Sequence, residues 1–191
     1  MQAPYNTGRQ RNGGGLTMNV LSIFDGISCA QVALNRAGHK VDNYFASEID
    51  KHAIAITQKN FPNTIQLGDV RNVVPSDTPI DLLIGGFPCQ DLSIAKAGRT
   101  GLKGARSGLF SECLRLLDEM KPRYFIFENV ASMDIHERVK INDLISIKGK
   151  EINAALFSAQ TRKRIFWTNI KVKPLPLNCD TVLRDIAETQ V

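Results

Sequence analysis

With 191 residues, 43% of them hydrophobic and 23% charged, the chain suits one soluble domain with a core of its own. No apolar run approaches the roughly 20 residues that span a bilayer, which excludes a membrane-crossing helix. The balance of 24 Lys and Arg against 19 Asp and Glu, a formal charge of +5, is compatible with a polyanionic partner without requiring one.

Residues 1–18 are polar and glycine-rich, with Gly13, Gly14 and Gly15 in a row, and read as a disordered arm. From residue 19 a strand, turn, helix rhythm sets in. Residues 20–24 predict a first strand. Residues 28–37 predict a helix, with Ala30, Ala33, Leu34 and Ala37 at helical spacing and Gly38 closing it. A strand over 44–47 and a helix over 51–60 follow, the helix stopped by Pro62. Residues 64–67 predict a short third strand, 81–84 a fourth, and 107–120 a helix ended by Pro122. Residues 124–127 are apolar throughout, as in a strand buried on both faces. This alternation predicts an α/β domain with a mostly parallel sheet. Residues 135–147 predict a helix, then 151–157 and 164–170 predict two strands. The short polar turn between those strands favours an antiparallel pair. An extended connector over 173–177 and a short helix over 181–187 close the chain. The expected organisation is an arm over 1–18, one domain over 19–172 and a connector over 173–191. Cys29, Cys89, Cys113 and Cys179 form no CxxC pair and follow no secretory leader, so free thiols in a reducing cytoplasm are the expected setting.

Chemistry concentrates where the predicted strands end. Phe87, Pro88, Cys89 and Gln90 follow the apolar run 81–86. A cysteine there sits on the rim where open α/β sheets bind ligands. Pro88 fixes one backbone angle and restricts Phe87, so the direction of the thiol is partly set. That suits a nucleophile, although a free cysteine also serves as a small packing residue. The stretch 90–106 after it holds Lys96, Arg99, Lys103 and Arg106 among glycines, and its length suits a lid closing over a polyanion.

Phe24, Asp25, Gly26, Ile27 and Ser28 form a glycine turn before a helix. Such a turn admits a cofactor close to the backbone, or simply joins strand to helix. It is not G-x-G-x-x-G, so a dinucleotide is poorly supported. Glu48, at the end of the second strand, suits two ribose hydroxyls; Asp50 suits a helix N-terminus better. Asp69 and Val70 suit an adenine amino group and ring, or a plain turn after Gly68. Asp25, Glu48 and Asp69 would together line a crevice for a ligand with ribose and adenine but no phosphates. Glu128 follows Phe125, Ile126 and Phe127, so its carboxyl is expected to be partly desolvated and its pKa raised. It could then bond a ring nitrogen and a neighbouring amino group; helix capping by Glu128 or Asn129 is the other reading. Arg162 and Arg164 share one side of an extended chain, where their fork-shaped donors can grip phosphate or a carbonyl oxygen, or belong to a solvated turn.

In this order, FDGIS, SEID, GDV, GGFPCQ, FENV and QTRKR resemble the motifs of the cytosine-5 DNA methyltransferases, over about residues 20–167, with phage and bacterial members most similar. The resemblance implies a Rossmann-like S-adenosylmethionine-dependent methyltransferase fold, with an antiparallel pair ending a mostly parallel sheet. It implies S-adenosyl-L-methionine as cofactor, contacted by Phe24, Asp25, Gly26 and Ile27. Glu48 would hold its ribose, Ile49 would pack on the adenine, and Asp69 and Val70 would read it. Pro88 and Cys89 would form the catalytic element. Glu128 would bind the N3 edge of a flipped-out cytosine in double-stranded DNA, with Asn129 bracing the Pro88–Cys89 loop. Arg164 would contact the cytosine O2 and Arg162 would support the site.

Family members continue into a target-recognition domain and a final Gly-Asn motif, and neither appears in these residues. The expectation is therefore a C-terminally truncated chain, or one subunit of a split enzyme whose second polypeptide supplies target recognition, with weak or no activity alone. A non-catalytic module that binds DNA or a partner enzyme, and a tRNA cytosine-5 methyltransferase, are the alternatives. Cys89, Glu128 and Arg164 together speak against a scaffold, which needs no nucleophile.

Overall fold

The computed structural model describes residues 17–88 and 109–177. Among these, seven strands and four α-helices alternate: β1 (Thr17–Ile23), α1 (Cys29–Arg36), β2 (Lys40–Ser47), α2 (Lys51–Asn60), β3 (Ile65–Gln66), β4 (Leu82–Gly86), α3 (Phe110–Met120), β5 (Tyr124–Val130), α4 (Ile135–Ile145), β6 (Lys150–Asn153) and β7 (Lys163–Thr168). The strands form one sheet in the order β3-β2-β1-β4-β5-β7-β6. β1 to β5 run parallel, and β7 runs antiparallel to both β5 and β6. The α/β class, the parallel sheet and the closing antiparallel pair are those expected from the sequence.

Successive strand residues point to opposite faces, and each face has its own core. Leu21, Ile23, Leu83, Phe125 and Phe127 pack with Phe110, Cys113, Leu116 and Leu117 of α3 and with Ile141 and Ile145 of α4. Trp167 of β7, fully buried, joins the same cluster. Val20, Tyr44, Ala46 and Leu82 pack on the other face against Leu34 of α1. α2 starts where Asp50 accepts from the His52 and Ala53 amides, and α4 where Asp134 accepts from His136, each satisfying helix donors that would otherwise lack a partner.

Several boundaries differ from expectation. β1 begins at Thr17, with Thr17 and Met18 paired to Lys40 and Val41, so these two belong to the sheet and not to an arm; residues 1–16 lie outside the described ones. β5 is not buried on both faces: Phe125, Phe127 and Asn129 are buried, whereas Tyr124, Ile126, Glu128 and Val130 are half-buried. β6 stops at Asn153, short of residue 157, because the Asn153 side chain accepts from the amides of Ala155 and Arg162 and turns the chain into a 3-10 turn, Ala154–Leu156. α4 stops at Ile145 because Ser146 adopts a left-handed φ of 57°. The connector carries no regular structure over 171–177, and the helix expected over 181–187 lies outside the described residues.

Candidate active site

Parallel pairing brings the carboxyl ends of β1 to β5 to one edge of the sheet. β7 enters at that same edge, since Arg164 pairs with Val130. Between β1 and β4 the strand order reverses, and ligands of open α/β sheets bind at such a switch point. Every described residue singled out in the sequence lies along this edge or just beyond it.

On one side of the reversal stands the turn after β1. Phe24, Gly26 and Ser28 have φ of 55°, 61° and 60°. Left-handed backbone at a non-glycine residue costs about 1–2 kcal/mol, so Phe24 and Ser28 need support from their surroundings. That support is a buried hydroxyl network. Ser28 Oγ donates to Asp25 Oδ2, and Tyr44 Oη donates to Asp25 Oδ1 at 2.7 Å. Thr57 Oγ1 lies 3.2 Å from Ser28 Oγ and 3.4 Å from the Gly26 carbonyl oxygen. Burial, with the Asp25 charge acting the same way, pushes the Tyr44 hydroxyl well above its ordinary range, so it stays a neutral donor.

Glu48 closes the turn from β2. Its Oε2 accepts from the Gly26 amide at 2.8 Å, and its Oε1 from the Ile49 and Asp50 amides at 2.8 and 2.9 Å. A carboxylate offers about four acceptor positions, so these bonds leave room for one more donor. Ile49 is 72% and Ile27 48% exposed. At the end of β3, Asp69 caps a 3-10 turn and binds the Arg71 guanidinium through both oxygens. Arg71 holds its carboxyl down at about 2. Val70 faces the core, 4% exposed. Arg115 ties this turn to α3, donating to the Val70 and Val73 carbonyls at 3.0 Å.

Across the reversal, β4 and β5 pair in register, with Gly86 opposite Glu128. The Glu128 carboxylate bonds Arg164 Nε at 2.6 Å. Burial pushes the Glu128 carboxyl up, and the charges of Arg164 and Arg162 pull it back. Arg164 also donates to the Lys163 carbonyl, and Arg162 is exposed. Asn129, 2% exposed, donates from Nδ2 to the Phe87 carbonyl at 3.0 Å. The Phe87 ring is buried against Phe110 and Trp167, at centroid distances of 4.8 and 6.2 Å. The chain thus enters Pro88 from an anchored residue. Cys89 and the stretch 90–106 lie outside the described residues.

Glu128, Asn129, Arg164 and Pro88 therefore gather around β4, β5 and β7, while Phe24, Asp25, Gly26, Ile27, Glu48 and Ile49 gather around β1 and β2. Asp25 is turned into the network beneath its own turn, Asp69 into its ion pair and Val70 into the core. Sequence reasoning passed over Tyr44, Thr57, Arg71 and Gly86. Tyr44 carried one faint signal: its two-residue spacing from Ala46 puts both on one strand face.

A parallel sheet in this order with an antiparallel seventh strand, carrying an acid–arginine pair at its carboxyl edge, is an open α/β scaffold with a crevice for ligands. A family model described as C-5 cytosine-specific DNA methylase matches residues 18–178, and the chain belongs to that family. It is 32% identical over 167 residues to the orphan methyltransferase M.Rho11sI of Bacillus phage rho11s, covering 81% of this chain and 33% of the relative. It is 31% identical over 193 residues to the Type II methyltransferase M1.ScrFI of Lactococcus lactis subsp. cremoris, covering 90% of this chain and 49% of that one. A solved E. coli prophage-encoded chain, assigned as a DNA modification methyltransferase, superposes with a TM-score of 0.63 at 30% identity, covering 79% of this chain and 46% of its own. The chain spans half or less of the length of these relatives. No helix among the described residues is long and apolar enough to cross a membrane.

Proposed function

We propose that this chain is the catalytic half of a DNA (cytosine-5-)-methyltransferase that modifies a flipped-out cytosine with S-adenosyl-L-methionine as methyl donor. The observation that carries the reading is the Glu128–Arg164 pair, directly across the β4–β5 register from the glycine that leads into Phe87, Pro88 and Cys89. A raised carboxyl beside a fixed guanidinium suits the N3 edge and O2 of one pyrimidine ring.

The rim over β1 and β2 fits an adenosyl cofactor. Nothing stands within 4 Å of where a Cβ on Gly26 would be, so a ligand can approach the backbone. Ile27 and Ile49 offer apolar surface beside it, and Glu48 has one acceptor position free. Phe24, Gly26, Ile27, Glu48 and Ile49 would hold the group, with Asp25 shaping their turn from beneath and Asp69 reaching its adenine once Arg71 yields. The buried Val70 would support that turn from below. When bound, the cofactor supplies an electrophilic methyl group on a sulfonium.

The chain's own residues prepare the acceptor. Carbon 5 of cytosine is a poor nucleophile. The Cys89 thiolate adds at carbon 6, and Glu128, hydrogen-bonded at N3, stabilises the electron density pushed into the ring. Carbon 5 then becomes enamine-like. Arg164 holds O2, and Arg162 keeps the pocket positive. Asn129 fixes the Phe87 carbonyl and with it the entry to Pro88. Once carbon 5 bears the methyl group, loss of its proton and release of the Cys89 thiolate restore the ring. Extruding the base costs a few kcal/mol, which contacts from the basic stretch 90–106 would offset. A thiol with an ordinary pKa near 8.5 must also be lowered, a task for nearby arginines or a helix N-terminus.

The test is tritium transfer from labelled cofactor to DNA and tRNA offered side by side. Label in DNA with wild type, and none with Cys89→Ser, is the expected result. Label confined to tRNA would reassign the substrate. Cofactor binding with no label in either would favour a binding module, alone or with a second polypeptide.

A further inference from the structure

The hydroxyl network under the turn after β1 extends beyond the residues assigned to the cofactor. Tyr44 and Thr57 come from β2 and α2, and both are buried, 4% and 0% exposed. Neither is on the rim. Yet Tyr44 Oη meets Asp25 Oδ1 at 2.7 Å, and Thr57 Oγ1 lies within hydrogen-bond reach of both Ser28 Oγ and the Gly26 carbonyl. The two hydroxyls thus engage a segment in which Phe24, Gly26 and Ser28 all have positive φ. Such backbone persists only where its surroundings over-determine it. Ser28 carries the N-cap position of α1 but makes no side-chain cap bond. Its hydroxyl is spent on Asp25 instead, which ties the turn to the network rather than to the helix.

We propose that Tyr44 and Thr57 are positioning residues for the cofactor: their hydroxyls lock Asp25 and Ser28 so that residues 24–27 present their backbone in the shape the adenosyl group requires. The inference rests on the cofactor reading above. Asp25 then acts as the hub of the turn, with both carboxylate oxygens turned inward, rather than as a direct ligand. Tyr44 supplies a donor that burial keeps protonated, and Thr57 holds Ser28 in the orientation that completes the hub. A loosened turn would sample ordinary backbone and blur the site without emptying the core, because the Tyr44 ring packs with Val20 and Ala46 regardless of its hydroxyl.

The test uses the 191-residue chain and S-adenosylhomocysteine as the probe. Affinity is read by isothermal titration calorimetry and unfolding of the unliganded chain by thermal denaturation. Tyr44→Phe is expected to weaken binding about tenfold, the loss of one buried hydrogen bond to a charged group. Thr57→Val is expected to weaken it similarly, and Thr57→Ser, which keeps the hydroxyl, to retain wild-type affinity. A purely structural role would lower the unfolding temperature and leave affinity unchanged, and that result overturns the proposal. If wild type binds no S-adenosylhomocysteine, the cofactor reading itself fails and the proposal falls with it.

Discussion

At Glu128 two electrostatic effects oppose each other. Burial raises its carboxyl pKa, and the Arg164 and Arg162 charges pull it down. A carboxyl raised in the folded state contributes stability that is fully present below its unfolded pKa and is lost as pH rises through the folded value. Arg164 limits that loss by favouring the ionised form. Arg164→Ala is therefore expected to destabilise the chain by about 1–3 kcal/mol at neutral pH, between the cost of losing an exposed pair and that of breaking a fully buried one, because a half-buried carboxylate loses its partner. The deficit should shrink as the pH falls into the carboxyl range, where the protonated acid needs no counterion. Urea titrations at pH 7 and pH 4 check the sign. Glu128→Gln should keep the fold and lower methyl transfer by about 10²–10⁴-fold, the range for removing a positioned acid–base group. Asn129→Ala leaves the Phe87 carbonyl without its buried donor, which is expected to cost about 1–3 kcal/mol in a urea titration.

Among the elements, β4 and β7 show how closely packing and chemistry are joined. A Cβ on Gly86 would come 3.1 Å from Glu128 Oε2. The crowded atom ends a flexible side chain, so Gly86→Ala is expected to fold and to displace Glu128 from Arg164, lowering transfer more than stability. Gly149 contrasts with it. There a Cβ would meet Ile165 Cγ2 at 2.5 Å and the Trp167 indole at 2.6 Å. Trp167 is fully buried and bonded to Asn142 through Nε1, so it cannot swing away. Gly149→Ala is expected to destabilise by about 1–3 kcal/mol, the overpacking range, measured as a fall in the urea midpoint. Much of this element level was legible beforehand. The apolar runs of β1, β4 and β5, and Pro62 and Pro122 beyond α2 and α3, marked the alternation through local chemistry. The end of β6 was not, because the Asn153 side chain that terminates it reaches forward to Arg162, a contact that propensity along the strand does not encode. Nor was the inward turn of Asp25, which depends on the Tyr44 hydroxyl reaching it from the neighbouring strand.

For the whole molecule, the strand order explains why scattered motifs converge. Parallel pairing brings five strand ends to one edge, and the antiparallel β7 returns Arg164 to that edge from a distant part of the chain. Acids at successive strand ends could be read from sequence as lining a crevice. That Val70 would be taken by the core could not, since its place depends on the turn that Arg115 pins to α3; the Asp69–Arg71 pair, only two residues apart, is local and was within reach of the sequence. In the proposed reaction Cys89 attacks a cytosine held by Glu128 and Arg164. That attack is tested by incubating the chain, alone and with a separate polypeptide carrying a target-recognition domain, with S-adenosylmethionine and DNA carrying 5-fluorocytosine. The expected result is a denaturation-resistant protein–DNA adduct with wild type that disappears in Cys89→Ser. An adduct that persists in Cys89→Ser, or a chain that binds both cofactor and DNA yet never forms one, would contradict it.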